Sequence, residues 1–323
     1  MRLRHGASPT RELTKLSSTR STNTLPSRCK ANYNDKSVQE TTPPVASAPP
    51  VPDDMPAVRL SDELALRAKR RLLRMHYESG VGHIGGNLSS LDILLTLYHE
   101  TLRPEDAFVL SKGHAAGALY ITLWSKGLLS DDQLASFHKD GTRLGGHPPA
   151  RGIPEIPFGT GSLGHGLPLA CGMALGARLR GDAGRVYCLT SDGEWNEGSN
   201  WEALIFLTHQ RLTNLTVVVD LNGLQGFGST RDVADMSPLA EKFRAFGLDV
   251  IEVDGHDRLA LRAALEHAGT VPAAVIARTR KGNGVSFMED RFEWHYLPLQ
   301  EGQYQTALQE LHQKCGKHSA GRF

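Results

Sequence analysis

Apolar positions between residues 56 and 300 recur with two different periods. After Ser61, the residues Leu64, Ala68, Leu72 and Met75 are spaced three or four apart. That spacing is one buried face of a helix, with the serine hydroxyl as its N-cap. Other runs are short and nearly continuous: Arg185-Val-Tyr-Cys-Leu-Thr190, Leu215-Thr-Val-Val-Val219, Asp249-Val-Ile-Glu-Val253 and Ala274-Val-Ile-Ala277. They have the length and β-branched content of parallel strands buried on both faces. Helices are predicted from Leu91 to Leu102, Gly113 to Lys126, Gly161 to Arg180, Asn200 to Gln210 and Arg258 to Ala268. Ala203, Leu204, Phe206 and Leu207 form the expected buried face of the fourth. Gly172 and Gly176 are expected to let the third pack closely. Strand, helix and strand over 185–219 make one βαβ unit with a right-handed crossover. The fold class is α/β: a twisted parallel sheet with helices on both faces.

Residues 1–55 follow neither period. They are rich in Ser, Thr, Pro, Arg and Lys, and Thr42-Pro-Pro-Val-Ala-Ser-Ala-Pro-Pro-Val-Pro52 reads as a flexible linker. Arg2, Arg4, Arg11, Lys15 and Arg20 among hydroxyl residues give some transit-peptide character, against which stand Glu12, Asp35 and Glu40. The expectation is a disordered extension over 1–55 and one domain over 56–323. A cytoplasmic protein is expected, with an organelle as the alternative if 1–55 is a transit segment. Hydrophobic residues make up 40% and the formal net charge is +1. No nucleic-acid footprint follows, and no apolar run reaches the length of a membrane span. Cys29, Cys171, Cys188 and Cys315 show no metal-ligand spacing, and Cys171 and Cys188 read as reduced core residues.

The candidate chemistry lies after two of the strands. Ser191-Asp192-Gly193-Glu194-Trp195-Asn196-Glu197-Gly198 follows one, and Asp220-Leu221-Asn222-Gly223-Leu224 ends the next. Asp192 and Asn222 then fall at the carboxyl ends of neighbouring parallel strands, where open α/β sheets bind ligands. A carboxylate from Asp192, an amide oxygen from Asn222 and the Leu224 carbonyl suit magnesium or calcium, with a diphosphate and water completing the shell. The plain alternative is a pair of ordinary Asx-Gly turns.

Asp192-Gly193 through Asn222 resembles the thiamine-diphosphate fingerprint, and the surroundings resemble transketolase. Five further segments match in order: Ser79-Gly-Val-Gly-His83-Ile-Gly-Gly86, Phe108-Val-Leu-Ser-Lys-Gly-His114, Gly145-Gly-His147-Pro148, Gly159-Thr-Gly-Ser-Leu-Gly-His165-Gly166, and Lys281-Gly-Asn-Gly-Val-Ser-Phe-Met288 with Trp294-His295. The resemblance implies a Rossmann-like, three-layer thiamine-diphosphate fold with magnesium or calcium. It implies His83, His114 and His147 in the substrate channel, and His295 near both the diphosphate and the substrate. His114 and His295 also count among the cofactor contacts. Gly161, Ser162 and Leu163 match backbone contacts to the cofactor, and small residues at a helix start suit a phosphate. Gly193 and Glu194 could offer amides to the diphosphate, and Lys281 either neutralises phosphate charge or is solvated. His165 stands where fused transketolases commonly carry Gln, so it is a diphosphate contact, a loop residue or a trait of split enzymes. Glu197 matches a glutamate near the subunit interface, its alternative being an exposed first-turn residue favoured by the helix dipole.

In the family, the glutamate that contacts the aminopyrimidine belongs to a following domain. The chain is therefore expected to be the N-terminal subunit of a split transketolase, inactive alone. The implied partner is a C-terminal subunit carrying the pyrimidine domain, in a heterotetramer acting on a sugar or sugar phosphate. The implied reaction moves a two-carbon ketol unit from a ketose to an aldehyde. The alternatives are a subunit of another thiamine enzyme, acting on 2-oxo acids, and a non-catalytic homologue that binds the cofactor.

Overall fold

The computed structural model describes residues 60–149 and 151–319, with no side-chain description from 314 onward. The chain divides into the units Met1–Asp54 and Met55–Phe323. The expectations for 1–55, for Cys29 and for the Cys315 side chain lie outside the described residues.

Five strands form one parallel sheet: β1 (Ala107–Leu110), β2 (Val186–Ser191), β3 (Leu215–Leu221), β6 (Asp249–Asp254) and β7 (Ala273–Arg278), in the order β1-β2-β3-β7-β6. β4 (Leu224–Gln225) and β5 (Gly228–Ser229) form a separate small hairpin. The sheet is a middle layer because its strands alternate between two cores. Phe108, Leu110, Tyr187, Leu189, Val218 and Val275 face one core. Helices α1 (Asp62–Ser79), α2 (Ile84–Thr96), α3 (Ala116–Ser125), α9 (Arg258–Glu266) and α10 (Glu301–Ser319) contribute to that core. Val109, Val186, Cys188, Val217, Val219 and Ile276 face the other core, with α5 (Gly166–Arg180), α6 (Gly198–His209) and α8 (Leu239–Ala245). Both faces are covered, so continuous β-branched runs are what this sheet requires. Two short helices, α4 (Asp131–Ala135) and α7 (Thr230–Ala234), complete the α-helices among the described residues.

The expected βαβ unit is present as β2-α6-β3, with β2 and β3 paired in parallel from Val186–Leu215 to Ser191–Asp220. Ser61 caps α1 by accepting from the Leu64 amide at 3.0 Å, and Leu64, Ala68, Leu72 and Met75 are all buried. Cys171 and Cys188 are buried free thiols, and burial pushes Cys171 up to about 12.

Several boundaries differ from the sequence reading. Helix α2 begins at Ile84, not Leu91, and continues through a π-helical turn over Leu97–Thr101. All thirteen α2 residues are buried, so Gly85, Gly86, Asn87, Ser89 and Ser90 belong to the helix although they carry no apolar periodicity. Helix α5 begins at Gly166, not Gly161, leaving 161–165 as a turn. Gly172 and Gly176 do not mediate close packing. A Cβ at Gly172 would meet nothing within 4 Å, and one at Gly176 only its own helix's Arg180 at 3.3 Å. Phe206 is partly exposed and lies off the buried face formed by Ala203, Leu204 and Leu207. β1 has only four residues and follows polar Glu105-Asp106, so periodicity does not reveal it. Among the described residues no helix is long and apolar enough to cross a membrane.

Candidate cofactor and substrate site

The carboxyl ends of β1, β2, β3 and β7 converge on one cavity of about 230 Å³. Its lining includes Asp192, Gly193, Asn222, Leu224, Lys112, Lys281, His83, His114, His147 and His295. Gly161 and Leu163 of the glycine-rich turn also reach it. Ser162 and His165 do not: they line an adjoining open depression of about 720 Å³ with His147, Gly159, Thr160 and Leu169. His147 and Gly161 are common to both spaces.

Asp192 follows β2 directly. Its carboxylate accepts the Gly193 amide at 2.8 Å and the Gly223 amide at 2.6 Å, which ties the two strand-end turns together. Burial, reinforced by Asp220, pushes Asp192 up to about 6. Asn222 Oδ1 accepts the Leu224 amide at 3.1 Å, and its Nδ2 donates to Asp220 Oδ1 at 3.3 Å. The Leu224 carbonyl faces Lys281 Nζ at 3.5 Å.

Beneath this floor lies a fully buried ion pair. Lys112 Nζ donates to Asp220 Oδ2 at 2.6 Å, to Ser90 Oγ at 2.9 Å and to the Gly86 carbonyl at 3.2 Å. Asp220 also accepts from Ser89 at 2.6 Å, from Ser90 at 2.9 Å and from the Thr279 hydroxyl. Burial would raise Asp220, but Lys112 and the hydroxyl donors win and hold it at about 2. Lys281 is buried, which corrects the solvated alternative; burial and the neighbouring Lys112 bring it down to about 8.

Glu194 is wholly buried, and its side chain rather than its position near the diphosphate turn defines it. Its carboxylate accepts from the Ser111 hydroxyl, from the Gly164 amide at 2.9 Å and from the Ser191 amide at 3.2 Å. It thereby braces the end of β1, the glycine-rich turn and the Asp192 turn against one another. Gly113 allows the remaining approach, since a Cβ there would stand 2.8 Å from the Gly161 nitrogen. Glu197 is exposed at the N-cap of α6.

The four histidines come from four separate segments. Ring centroids lie 5.7 Å apart for His83–His114, 5.9 Å for His83–His147, 5.0 Å for His83–His295 and 5.3 Å for His114–His295. The His83 amide donates to the His295 carbonyl at 3.0 Å. The Tyr120 hydroxyl holds the third loop through the carbonyls of Gly145 and His147, at 3.1 and 3.2 Å. Burial lowers every one of these imidazoles: His83 to about 4, His295 to about 3 and His114 well below its ordinary value, each helped by Lys281 and the other rings, and His147 with the help of His138. All four are neutral at pH 7. A ¹⁵N-histidine NMR titration should show no imidazolium at His83 and His295 between pH 8 and pH 6, with His83 charging near pH 4. Half-protonation of His83 near pH 6.5 would contradict the buried cluster.

Sequence reasoning missed Lys112, Asp220, Ser89, Ser90 and Thr279. Asp220 did carry a signal, because a carboxylate in a buried parallel strand requires a partner. Nothing in the sequence says which lysine supplies it.

The residues fit a divalent cation on a diphosphate. Among the described residues no group of three His, Cys, Asp or Glu side chains could hold a metal. One carboxylate, one amide and one carbonyl oxygen leave half of a six-oxygen shell to ligand and water, as suits magnesium. Asp192 is buried with its proton held up to about 6, and a cation there would relieve the cost of its charge. Gly226 lets the Tyr296 hydroxyl pack closely against it in the cavity lining, since a Cβ would stand 2.4 Å from that oxygen. Fold and site together define a thiamine-diphosphate-binding α/β domain. Residues 67–323 match the family model described as transketolase, thiamine diphosphate binding domain, and the chain belongs to that family.

Relatives agree. The chain is 39% identical over 265 residues to one of the subunits of the apulose-4-phosphate transketolase of Actinobacillus succinogenes, covering 77% of this chain and 96% of that protein. It is 37% identical over 244 residues to a 6-deoxy-6-sulfo-D-fructose transketolase subunit of a Clostridium species, covering 72% and 89%. Among solved structures, transketolase of Campylobacter jejuni superposes with a TM-score of 0.71 at 25% identity, over 78% of this chain and 43% of that one.

Proposed function

We propose that this chain is the diphosphate-binding subunit of a two-chain transketolase. It would transfer a two-carbon ketol unit from a ketose to an aldehyde acceptor, with thiamine diphosphate and magnesium. The observation that carries this reading is the convergence of four neutral imidazoles on a cavity floored by Asp192 and Asn222. When bound, thiamine diphosphate supplies a thiazolium carbon that serves as nucleophile and electron sink.

In this reading Asp192, Asn222 and the Leu224 carbonyl hold the cation. The buried ammonium of Lys281, beside the Leu224 carbonyl and His295, adds positive charge against the diphosphate. Gly161, Leu163 and Gly193 bring main chain close to the cofactor. Neutral imidazoles both donate and accept hydrogen bonds, so His83, His114 and His147 suit the hydroxyls of a polyol better than charged groups would. His295 contacts both His114 and Lys281, which supports a role near both cofactor and substrate. Ser162 and His165 in the adjoining depression, and the exposed Glu197, are proposed to meet a partner subunit carrying the pyrimidine domain, in a heterotetramer. Two relatives are named for a phosphorylated and a sulfonated sugar, which supports a ketose bearing an anionic group as donor.

Co-purification from the native source, with mass spectrometry of the associated chain, supplies the partner. The reconstituted pair should transfer ketol units and the pure chain should not. Turnover by the pure chain would remove the two-chain reading. Decarboxylation of 2-oxo acids in preference to ketose cleavage would move the pair to another class of thiamine enzyme.

A further inference from the structure

Two of the histidine loops meet at a residue that does not itself line the cavity. Asn87, in the first turn of α2, is 1% exposed. Its Nδ2 donates to the His83 carbonyl at 2.8 Å and to the His114 carbonyl at 3.0 Å. Its Oδ1 accepts the Ala118 amide at 2.6 Å, at the start of α3. The backbone amide of Asn87 also donates to the His83 carbonyl, at 3.1 Å.

The orientation of the side-chain amide follows from its neighbours. Two carbonyls can only accept and one N–H can only donate, so the NH₂ faces the histidines. Both amide protons and the oxygen are then used, in a buried setting where an unmade bond is costly. His83 moreover adopts φ 65° and ψ 4°, a left-handed conformation uncommon for a residue with a side chain. Such backbone persists only where the surroundings over-determine it. Here they do so through Asn87 at the His83 carbonyl and His295 at the His83 amide.

We infer that Asn87 is a positioning residue: one side-chain amide holds His83 in its left-handed conformation and fixes the His114 loop beside it. Apolar packing alone would not set that geometry, because an Asn-sized hydrophobe would remove these bonds from the His114 carbonyl and the Ala118 amide and leave the His83 carbonyl only the backbone amide of residue 87. The consequence for turnover rests on the proposed function, whereas the positioning itself does not. The experiment below therefore reads the loops directly.

The test uses the full chain labelled at histidine, with His83 and His114 assigned from His83→Gln and His114→Gln. Asn87→Asp keeps the shape but turns a carboxylate oxygen toward two carbonyl oxygens. The ring signals of His83 and His114 should both move by more than a linewidth. The His83 Cα shift should leave the value of a positive-φ residue. Signals of His209 and His267, on α6 and after α9, should stay in place. Asn87→Ser removes one donor without adding charge and should displace at least one of the two loops. Coincidence of the His83 and His114 signals with those of the parent in either variant overturns the inference. So does failure of both variants to fold, which would make Asn87 a determinant of the core and not of the loops.

Discussion

Asp192→Asn should abolish magnesium-dependent binding of thiamine diphosphate while leaving the fold intact. The loss expected in calorimetry is about 10²-fold or more, the upper range for disturbing a metal's surroundings. Stability should move independently of affinity. Burial raises Asp192 from 3.8 to about 6, so ionising it in the folded chain costs roughly 3 kcal/mol. The sign follows from linkage: a carboxyl raised on folding costs nothing below pH 4, and its cost grows as pH rises to about 6. The stability of Asp192→Asn relative to the parent, without cofactor, should therefore increase between pH 4 and pH 6 and then level off. Proton and cation also compete for the same oxygens. Affinity of the parent for cofactor and magnesium should accordingly weaken as pH falls through 6. Unchanged affinity in Asp192→Asn would refute the metal assignment. A pH-independent stability difference would refute the burial argument alone.

Lys112→Met should be the most destabilising single change near the site. Lys112 and Asp220 are 1% and 0% exposed and 2.6 Å apart. Removing the ammonium leaves a carboxylate buried with only hydroxyl and amide partners. Breaking a buried pair from one side costs about 3–5 kcal/mol. Urea unfolding should show this as a lower midpoint with an unchanged slope. The double variant Lys112→Met/Asp220→Leu should recover part of the loss, because no uncompensated charge then remains. A double variant no better than the single would mean that the hydroxyl network, not the ion pair, holds the floor. The effect should extend to the cofactor, since Asp220 orients the Asn222 amide at 3.3 Å.

The strands β2, β3 and β7 were legible because a parallel sheet covered on both faces leaves nearly continuous apolar runs, whereas β6, at the sheet edge and only half-buried, was legible from Val250, Ile251 and Val253 although Glu252 interrupts them. The face of α1 was legible for the complementary reason, that one side of it meets water. Helix α2 was half legible. In its first two turns only Ile84 and Leu88 join the hydrocarbon core, while Gly86, Asn87, Ser89 and Ser90 are buried against His114, Lys112 and Asp220. The choice between a phosphate-facing and a solvated Lys281 stayed open for a related reason, because its burial depends on a loop that only folding brings to the cavity. Glu194 shows the limit from another side. A glutamate two residues after Asp192, the proposed metal ligand, suggests amides offered to a diphosphate, while its carboxylate in fact ties segments that begin at 111, 164 and 191.

The sequence by itself determined the α/β class, the family, the strand-end placement of Asp192 and Asn222, and the membership of His83, His114, His147 and His295. Each of these is carried by local spacing or by a short ordered motif. The tertiary structure alone decided that the imidazoles stand 5–6 Å apart and uncharged. It alone paired Lys112 with Asp220, separated Ser162 and His165 from the cavity, and set Asn87 between two loops. The physical reason is range. Secondary structure and turn chemistry depend on neighbours within a few residues, whereas burial, charge state and hydrogen-bond partnership depend on residues as far apart as Lys112 and Asp220.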